Sequence, residues 1–157
     1  MEDRLTRIGV ISDTHGLLRP QAARALAGSQ LILHAGDVGR PEILDELRLI
    51  APVVAVRGNV DYGTWADGLP MRTEAALGGH RIHMLHILAD LGLDPAAAGI
   101  AMVIYGHSHK PEIVRRDGVL YFNPGSAGPR RFALPITVGM LTMKDGALTP
   151  ELIELDA

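Results

Sequence analysis

The segment "IGVISDTHG", residues 8–16, sets the architecture of this chain. Its apolar first half stops at a polar string that contains Asp13 and His15. The same arrangement, an apolar run followed by glycine beside a polar side chain, returns at residues 31–37 and 53–59. Two helix-like segments, each opened by a proline, separate these runs: 20–27 and 41–50. The β-α-β-α-β order predicts a mostly parallel sheet with helices on its faces.

The second half of the chain is richer in strand signals. Glycine-containing turns at 78–79, 117–118 and 145–146 predict three hairpins. Their predicted strands are 71–77 with 81–86, 112–116 with 119–122, and 136–143 with 148–155. Another apolar run covers 101–105, and a short helix is predicted before it at 95–98. We therefore expect a mixed α/β fold in which two sheets pack together.

Composition narrows the class of protein. The chain has 157 residues, 47% of them hydrophobic, which suits one domain spanning 1–157. It has no cysteine, so disulfides, thiolate metal sites and cysteine nucleophiles are excluded. The net charge is −3 and the arginines are scattered, so no nucleic-acid footprint is expected. Without a signal-like N-terminus or an apolar run of roughly 20 residues, the expectation is a soluble, cytoplasmic protein that does not enter a membrane. Apolar strand edges would permit a homo-oligomer.

Seven polar side chains follow the predicted strands at their carboxyl ends: Asp13, His15, Asp37, Asn59, His86, His107 and His109. In open α/β sheets ligands bind outside the carboxyl ends of the strands, so these side chains could meet at one edge. Imidazole and carboxylate suit Mn, Fe, Zn, Ni or Co, and seven ligands are too many for one tetrahedral ion. They suit two ions roughly 3.5–4 Å apart that share a carboxylate, an arrangement used for displacement at phosphorus.

Taken singly, each of these residues also has a structural interpretation. Asp13 suits a capped turn before a helix, Asn59 suits a left-handed turn, and His86 suits a buried core position. His83 competes with His86 as a ligand, but three residues earlier on a strand it faces the other side of the sheet. His34 is predicted either to hydrogen-bond to the site or to be buried for structure alone. The ordered recurrence at successive strand ends favours the metal site.

Five motifs in order, "GVISDTHG", "HAGDV", "RGNVD", "YGHSHKP" and "NPGS", resemble the calcineurin-like metallophosphoesterases, above all their small single-domain bacterial and archaeal phosphodiesterases. The resemblance runs from Ile8 to the C-terminal strands. It implies a four-layer α-β-β-α sandwich of two mixed sheets with flanking helices. It also implies a dinuclear metal site with Asp37 as the bridging ligand. The first ion would take Asp13, His15 and His109, and the second would take Asn59, His86 and His107.

The resemblance also implies a chemistry. The expected reaction is hydrolysis of a small phosphodiester by in-line attack of a hydroxide that bridges the ions. Asp37, Asn59 and His107 are expected to serve this catalytic step. Two divalent ions are the expected cofactors, Mn²⁺ first, with Ni²⁺, Fe²⁺, Zn²⁺ and Mg²⁺ as alternatives. For the substrate phosphate, the loop "NPGSAGPRR" offers three candidates: Ser126, Arg130 and Arg131.

Two positions depart from the family pattern. Val60 follows Asn59 where many members carry a histidine that assists the leaving group, so slow turnover of poor leaving groups is expected. Asp61 is a candidate replacement acid, with a role in a turn as the alternative. Ile87 follows His86 where related chains usually have glycine, which predicts a different backbone turn and a narrower pocket.

The competing function is a non-catalytic scaffold for protein interactions. One eukaryotic relative, a subunit of the retromer sorting coat, keeps this fold with a degenerate metal site. In this chain all seven ligand positions hold competent ligands, which favours the enzyme.

Overall fold

The computed structural model describes residues 6–157, which form two five-stranded sheets and three short helices. The strands are β1 (Thr6–Ile11), β2 (Leu31–His34), β3 (Val53–Ala55), β4 (Arg72–Leu77), β5 (His80–Leu85), β6 (Met102–Ile104), β7 (Glu112–Arg116), β8 (Val119–Asn123), β9 (Thr137–Lys144) and β10 (Ala147–Glu154). The helices are α1 (Pro20–Leu26), α2 (Pro41–Arg48) and α3 (Thr64–Asp67), and a 3-10 turn covers Leu88–Asp90.

The first sheet has the strand order β10-β9-β1-β2-β3. Its strands β1, β2 and β3 run parallel, with Val10 opposite Leu33 and Leu33 opposite Val54. This confirms the β-α-β-α-β unit predicted from the sequence. The hairpin of β9 and β10 completes the same sheet, antiparallel to β1, with Gly9 opposite Met140. The sequence predicted this hairpin but not its sheet, because the hairpin turn fixes only the pairing of β9 with β10.

The second sheet has the strand order β4-β5-β6-β8-β7. The hairpins predicted around Gly78-Gly79 and Asp117-Gly118 are confirmed as the antiparallel pairs β4–β5 and β7–β8. Between them, β5, β6 and β8 run parallel. Both sheets are therefore mixed, and each contains three adjacent parallel strands. The carboxyl ends of those parallel strands carry the site described below.

The main core lies between the two sheets. Val10 and Leu33 of the first sheet pack in one buried cluster with Met84, Ile104 and Phe122 of the second. Along a strand the cluster takes every second residue, such as Ile8 and Val10 of β1 or Ile82 and Met84 of β5. One face of each sheet therefore packs into this core. At roughly 25 cal/mol per Å² of buried apolar surface, such clusters supply the main favourable term for folding.

Helices cover the outer face of the first sheet. Leu26 of α1 and Ile43 and Leu47 of α2 are fully buried in a second cluster against that sheet. The proline at the first position of each helix fixes a helical φ without losing a hydrogen bond. Both helices confirm the sequence prediction, within two residues at their ends.

A loop segment, rather than a long helix, covers the outer face of the second sheet. Leu88, Leu91 and Ala98 pack against the buried Val103 and Tyr105. The helix predicted at 95–98 is wrong: the segment makes one turn, closed by a 3.0 Å bond from the Ala98 N–H to the Asp94 carbonyl. Gly99, at φ 77°, ends that turn at once. No helix within residues 6–157 is long and apolar enough to cross a membrane.

Candidate metal centre

The seven predicted ligands follow parallel strands of both sheets, at the carboxyl ends of those strands. Four follow β1 to β3 and three follow β5 and β6: Asp13, His15, Asp37 and Asn59, then His86, His107 and His109. Parallel strands end on the same side of a sheet, so the polar ends collect there. A 3.1 Å hydrogen bond from the His107 backbone N–H to Asp13 Oδ2 links the two sheets at this edge.

Asp13, His15 and His109 form the first group, in which the potential ligand atoms lie within 4.8 Å of one another. Asp13 Oδ1 lies 3.6 Å from His15 Nε2 and 3.4 Å from His109 Nε2. The other oxygen, Asp13 Oδ2, accepts a 2.7 Å hydrogen bond from the Ser12 hydroxyl. Protein donors thus hold one carboxylate oxygen, and the other is turned toward three imidazoles, the third being His86, whose Nε2 lies at 3.8 Å.

Asp37, His86 and His107 form the second group within the same limit of 4.8 Å. Asp37 Oδ2 lies 3.0 Å from His86 Nε2 and 3.5 Å from His15 Nε2 of the first group. Asp37 Oδ1 accepts a 3.0 Å hydrogen bond from the Val60 backbone N–H. One oxygen of Asp37 therefore lies between the two groups, which is the position that a shared ligand needs.

Hydrogen bonds on the far side of the rings select the tautomers. His86 Nδ1 lies 2.8 Å from the Ala35 carbonyl oxygen, which can only accept, so Nδ1 carries a proton. In the neutral ring, Nε2 then presents its lone pair toward the carboxylates. His107 Nδ1 lies 3.1 Å from Asn59 Oδ1. A proton joins these two atoms in the metal-free form, and a cation could take its place. The exposed His107 and Asn59 leave this side of the site open to solvent.

The backbone at the site is held in an unusual conformation. Five of the seven residues have left-handed φ values: Asp13 (56°), His15 (46°), Asp37 (57°), His107 (72°) and His109 (63°). Such conformations cost of order 1–3 kcal/mol each and cluster at functional sites. The surrounding structure therefore aims these side chains inward against their local preference.

Glycines allow the loops to approach one another closely. A Cβ atom on Gly58 would lie 2.0 Å from the Asp37 backbone nitrogen, and one on Gly106 would lie 2.1 Å from Ser12 Oγ. A Cβ on Gly36, whose φ is 103°, would lie 2.8 Å from His86 Nδ1. Any larger residue at these positions would displace a candidate ligand or its support.

Burial and neighbouring charges shift the pKa values of His86 and Asp37 in opposite directions. Burial lowers the pKa of His86, but the carboxylates of Asp37 and Asp13 outweigh it and the pKa is raised overall. Burial raises the pKa of Asp37, but His86 and the Val60 N–H outweigh it and the pKa is lowered. The pKa of His109 is lowered, chiefly by burial, with Asp13 opposing and the charge of Arg131 reinforcing the effect. Asp37 and His86 thus each stabilise the charged form of the other in the absence of a metal.

His34 is fully buried and joins the two loops that carry Asp13 and Asp37. Its Nδ1 accepts a 3.1 Å bond from the Gly36 N–H, so its Nε2 carries the proton and donates to Thr14 Oγ1 at 3.0 Å. The Thr14 hydroxyl in turn donates to the Val38 carbonyl at 2.8 Å. Burial lowers the pKa of His34 to about 4, against the nearby Asp13 and Asp61 charges. Of the two predicted roles, the structure favours a neutral histidine that positions both loops.

Asp61 is a buried anchor and does not point at the ligands. Its Oδ2 accepts bonds of 2.8 Å from the Gly58 N–H and 3.2 Å from the Val38 N–H, and its Oδ1 accepts 2.9 Å from the Gly39 N–H. Both carboxylate oxygens are therefore occupied by backbone donors, and neither is aimed at the ligand groups. The predicted alternative, a role in the turn, fits this geometry.

The three predicted phosphate-binding residues lie in one loop but have different surroundings. The Ser126 hydroxyl donates to the Asp13 carbonyl at 3.1 Å and is 2% exposed, so it supports a ligand loop from behind. Arg130 turns away and donates to the Leu134 and Ala157 carbonyls at 3.0 and 3.2 Å. Arg131 lies close enough for its charge to affect the pKa of His109. Of the three, Arg131 is the one whose charge acts on a predicted ligand.

The geometry of β5 separates His86 from His83. His83 lies on the other face of β5, where its Nδ1 is 3.0 Å from Glu74 Oε2, so it does not compete for the site. Ile87 has φ −109° and ψ 112°, an extended backbone that any residue can adopt. Glycine is not needed after His86 here, and the expected change of backbone turn does not displace the ligand.

Four buried atoms of the two groups have no hydrogen-bond partner within residues 6–157: Asp13 Oδ1, His15 Nε2, His86 Nε2 and His109 Nδ1. An unsatisfied buried polar atom costs roughly 1–3 kcal/mol, so a concentration of them at one place indicates a missing partner. Imidazole and carboxylate atoms converging at these distances fit divalent cations. The residues present therefore fit the metal that the sequence predicts.

Two supports of the site were missed at the sequence level. Ser12 holds Asp13 through its hydroxyl, and its place directly before Asp13 was the available signal. The Val60 backbone N–H holds Asp37, and no side-chain pattern could reveal a main-chain donor.

Comparisons with known proteins agree with this site. Residues 6–146 match the family model described as the calcineurin-like phosphoesterase superfamily domain. A "Probable metallophosphoesterase" of Methanothermobacter thermautotrophicus is 35% identical over 167 residues, covering 96% of this chain and 93% of the relative. "Phosphodiesterase YfcE" of Escherichia coli K12 is 29% identical, covering 83% and 84%. Among solved structures, Vacuolar Protein Sorting 29 from Cryptosporidium parvum shares the fold with a TM-score of 0.77 at 19% identity, covering 96% and 97%.

Proposed function

Since the chain belongs to the calcineurin-like phosphoesterase superfamily, we propose that it is a phosphodiesterase that uses two divalent ions. The observation that carries this proposal is the position of Asp37 Oδ2, 3.0 Å from His86 Nε2 and 3.5 Å from His15 Nε2. A single oxygen between two ligand groups suits a carboxylate shared by two ions. The name of the relative, Phosphodiesterase YfcE, supports the choice of a phosphodiester over a monoester.

The proposed ligand sets follow the two groups. Asp13, His15 and His109 would hold one ion. His86, His107 and the amide oxygen of Asn59 would hold the other, with Asp37 shared. When bound, the two ions would activate a water molecule for in-line attack and neutralise charge on the phosphoryl oxygens. The mixed imidazole and carboxylate set accepts Mn²⁺, and also Ni²⁺, Fe²⁺ or Zn²⁺.

The chain's own residues define how the substrate approaches. Asn59 and His107 lie on the solvent-exposed side of the site, so the phosphoryl group would enter there. Arg131, beside His109, offers a positive charge to a phosphate oxygen. Val60, whose side chain is 38% exposed at the rim, has no proton to give to a leaving alkoxide. Esters whose leaving group is stable as an anion are therefore the preferred substrates.

The test is metal-dependent hydrolysis. Metal-stripped protein would be assayed on bis-p-nitrophenyl phosphate and p-nitrophenyl phosphate after separate addition of Mn²⁺, Ni²⁺, Zn²⁺ and Mg²⁺. We expect turnover of the diester above that of the monoester, and elemental analysis should find two ions per chain. Asp37→Asn should reduce kcat by on the order of 100-fold or more, whereas the exposed Asp45→Asn serves as the matched control. Diester turnover that persists in metal-stripped protein would refute the proposal.

The scaffold alternative has weaker support. The likeness to Vacuolar Protein Sorting 29 lies at 19% identity and speaks for the fold alone. The buried atoms without hydrogen-bond partners point to a cation at this edge, and a protein-binding surface does not require them. Two bound ions without turnover of any phosphoester would favour the scaffold.

A further inference from the structure

Two clefts open on either side of Ile87, next to the proposed second ion. Cleft A is lined by Asn59, Met71, Leu85, His86 and Ile87. Cleft B is lined by Ile87, Leu88, Tyr105, His107 and Lys110. Each cleft therefore reaches one side of the same ligand group, and Ile87 is common to both. Ile87 is also the residue that stands in place of the glycine expected after His86.

Cleft A fits one apolar ring. Its volume is about 140 Å³, and a cavity of about 150 Å³ lined by aliphatic and aromatic side chains holds one benzene molecule. The side chains of Met71, Leu85 and Ile87 give it an apolar wall, and Leu85 is 2% exposed. Burial of an apolar group there would contribute in proportion to the area removed from water.

The two arginines around cleft A already donate to the protein. Arg57 donates to the Asp61 carbonyl at 2.9 Å and to Asp67 Oδ1 at 3.3 Å. Arg72 donates to the Leu91 carbonyl at 2.9 Å and to the Asp90 carbonyl. An anionic substituent would have to compete with these internal partners for the guanidinium donors, whereas an uncharged ring needs none of them and can use the apolar wall.

Cleft B is larger and more open, at about 340 Å³. The exposed Lys110 stands at its edge beside His107, and Glu112, which also lines it, accepts a hydrogen bond from the Tyr105 hydroxyl. A phosphodiester carries two substituents on one phosphorus atom. The two clefts offer each substituent its own place, and they differ in size.

We propose that Ile87 divides two substituent subsites, and that cleft A selects diesters in which one substituent is an uncharged group of about one aromatic ring. The remainder of the substrate lies along cleft B. The inference rests on the proposed phosphodiesterase function and adds the class of diester to it. It gives Ile87 the role of a specificity-determining wall.

The test varies the retained substituent while the leaving group stays the same. Bis-p-nitrophenyl phosphate and methyl p-nitrophenyl phosphate both release p-nitrophenolate but keep an aryl or a methyl group. We expect the ratio of their kcat/KM values, aryl over methyl, to fall about five- to tenfold in Ile87→Ala, equivalent to ~1–1.4 kcal/mol. Met71→Ala, at the 64% exposed rim of cleft A, should lower the same ratio by a smaller factor. Ile113→Ala is the matched control, because Ile113 is a 38% exposed isoleucine on β7 that lines neither cleft.

Two outcomes would overturn the inference. One is an aryl-to-methyl ratio in Ile87→Ala within twofold of the parent protein while its melting temperature is unchanged. The other is an equal fall of this ratio in Ile113→Ala, which would show that the effect comes from a change in the whole fold and not from cleft A. Titration calorimetry of the Mn²⁺-loaded protein gives a readout without turnover: phenylphosphonate should bind at least fivefold more tightly than methylphosphonate, and Ile87→Ala should remove the difference. If the parent protein cleaves no diester, the proposed function fails, but the difference in phosphonate affinity still tests the subsite. Equal affinity for the two phosphonates, or no binding of either, would refute the subsite.

Discussion

Protonation of His34 should make the metal-free protein unstable in mild acid. The imidazole is fully buried and neutral, with a pKa lowered to about 4 from 6.5. In the unfolded chain it would take up a proton near pH 6.5, while in the folded chain it resists until about pH 4. The stabilising contribution of the neutral form is therefore complete above pH 6.5 and is lost as pH falls toward 4.

The size of this effect follows from the two pKa values. The interval between 6.5 and about 4 corresponds to roughly 3 kcal/mol, at about 1.4 kcal/mol for each pH unit. That is a large fraction of the ~5–15 kcal/mol that stabilises a typical domain. Protonation of His34 should disturb both ligand loops, because His34 joins the loops of Asp13 and Asp37 through Thr14 and Gly36.

The assay is urea unfolding of chelator-treated protein between pH 7.5 and 4.5, with His34→Gln beside the parent. A glutamine can accept from the Gly36 N–H and donate to Thr14, but it does not titrate. We expect the parent to lose about 2–3 kcal/mol more than His34→Gln over this range. His80→Gln, which removes a histidine on the β4–β5 hairpin, should keep the parent's pH dependence. Parallel pH profiles for the parent and His34→Gln would refute the assignment of a buried neutral histidine.

Three further substitutions test other parts of the site. Asp61→Asn should lower the free energy of unfolding by about 2 kcal/mol, because the carboxylate that three backbone N–H groups share loses its charge; an unchanged urea midpoint would contradict this. Gly36→Ala places a Cβ 2.8 Å from His86 Nδ1 at φ 103°, so calorimetry should find the affinity for the second ion reduced about tenfold or more. Val60→His should raise the rate of hydrolysis of alkyl phosphodiesters while both ions stay bound. An unchanged rate would refute the idea that Val60 leaves the site without a proton donor for the leaving group.

Much of the first sheet could be predicted because its signals are local. Proline at residues 20 and 41 marked both helix starts, and the apolar runs that end in Asp13 and Asp37 marked the parallel strands. The ligand positions followed from this order, because parallel strands share their carboxyl edge.

What escaped prediction depends on contacts between distant segments. The turn at residues 145–146 showed a hairpin, but nothing local to it revealed that β9 pairs with β1. The helix expected at 95–98 had suitable residues but room for a single turn before Gly99. Arg130 and Arg131 are indistinguishable in sequence, and only the path of the chain turns Arg130 toward Leu134 and Ala157.

The place of β9 beside β1 has a consequence for how the chain folds. Gly9 pairs with Met140, so the central strand of the first sheet waits for a partner that is synthesised only after all seven proposed ligands. Until then β1 presents an open, apolar edge on one side, which is a liability for aggregation during synthesis. Such long sequence separation also slows folding. Chains truncated before residue 137 should therefore be recovered as insoluble material, even though all seven proposed ligands are already present in them.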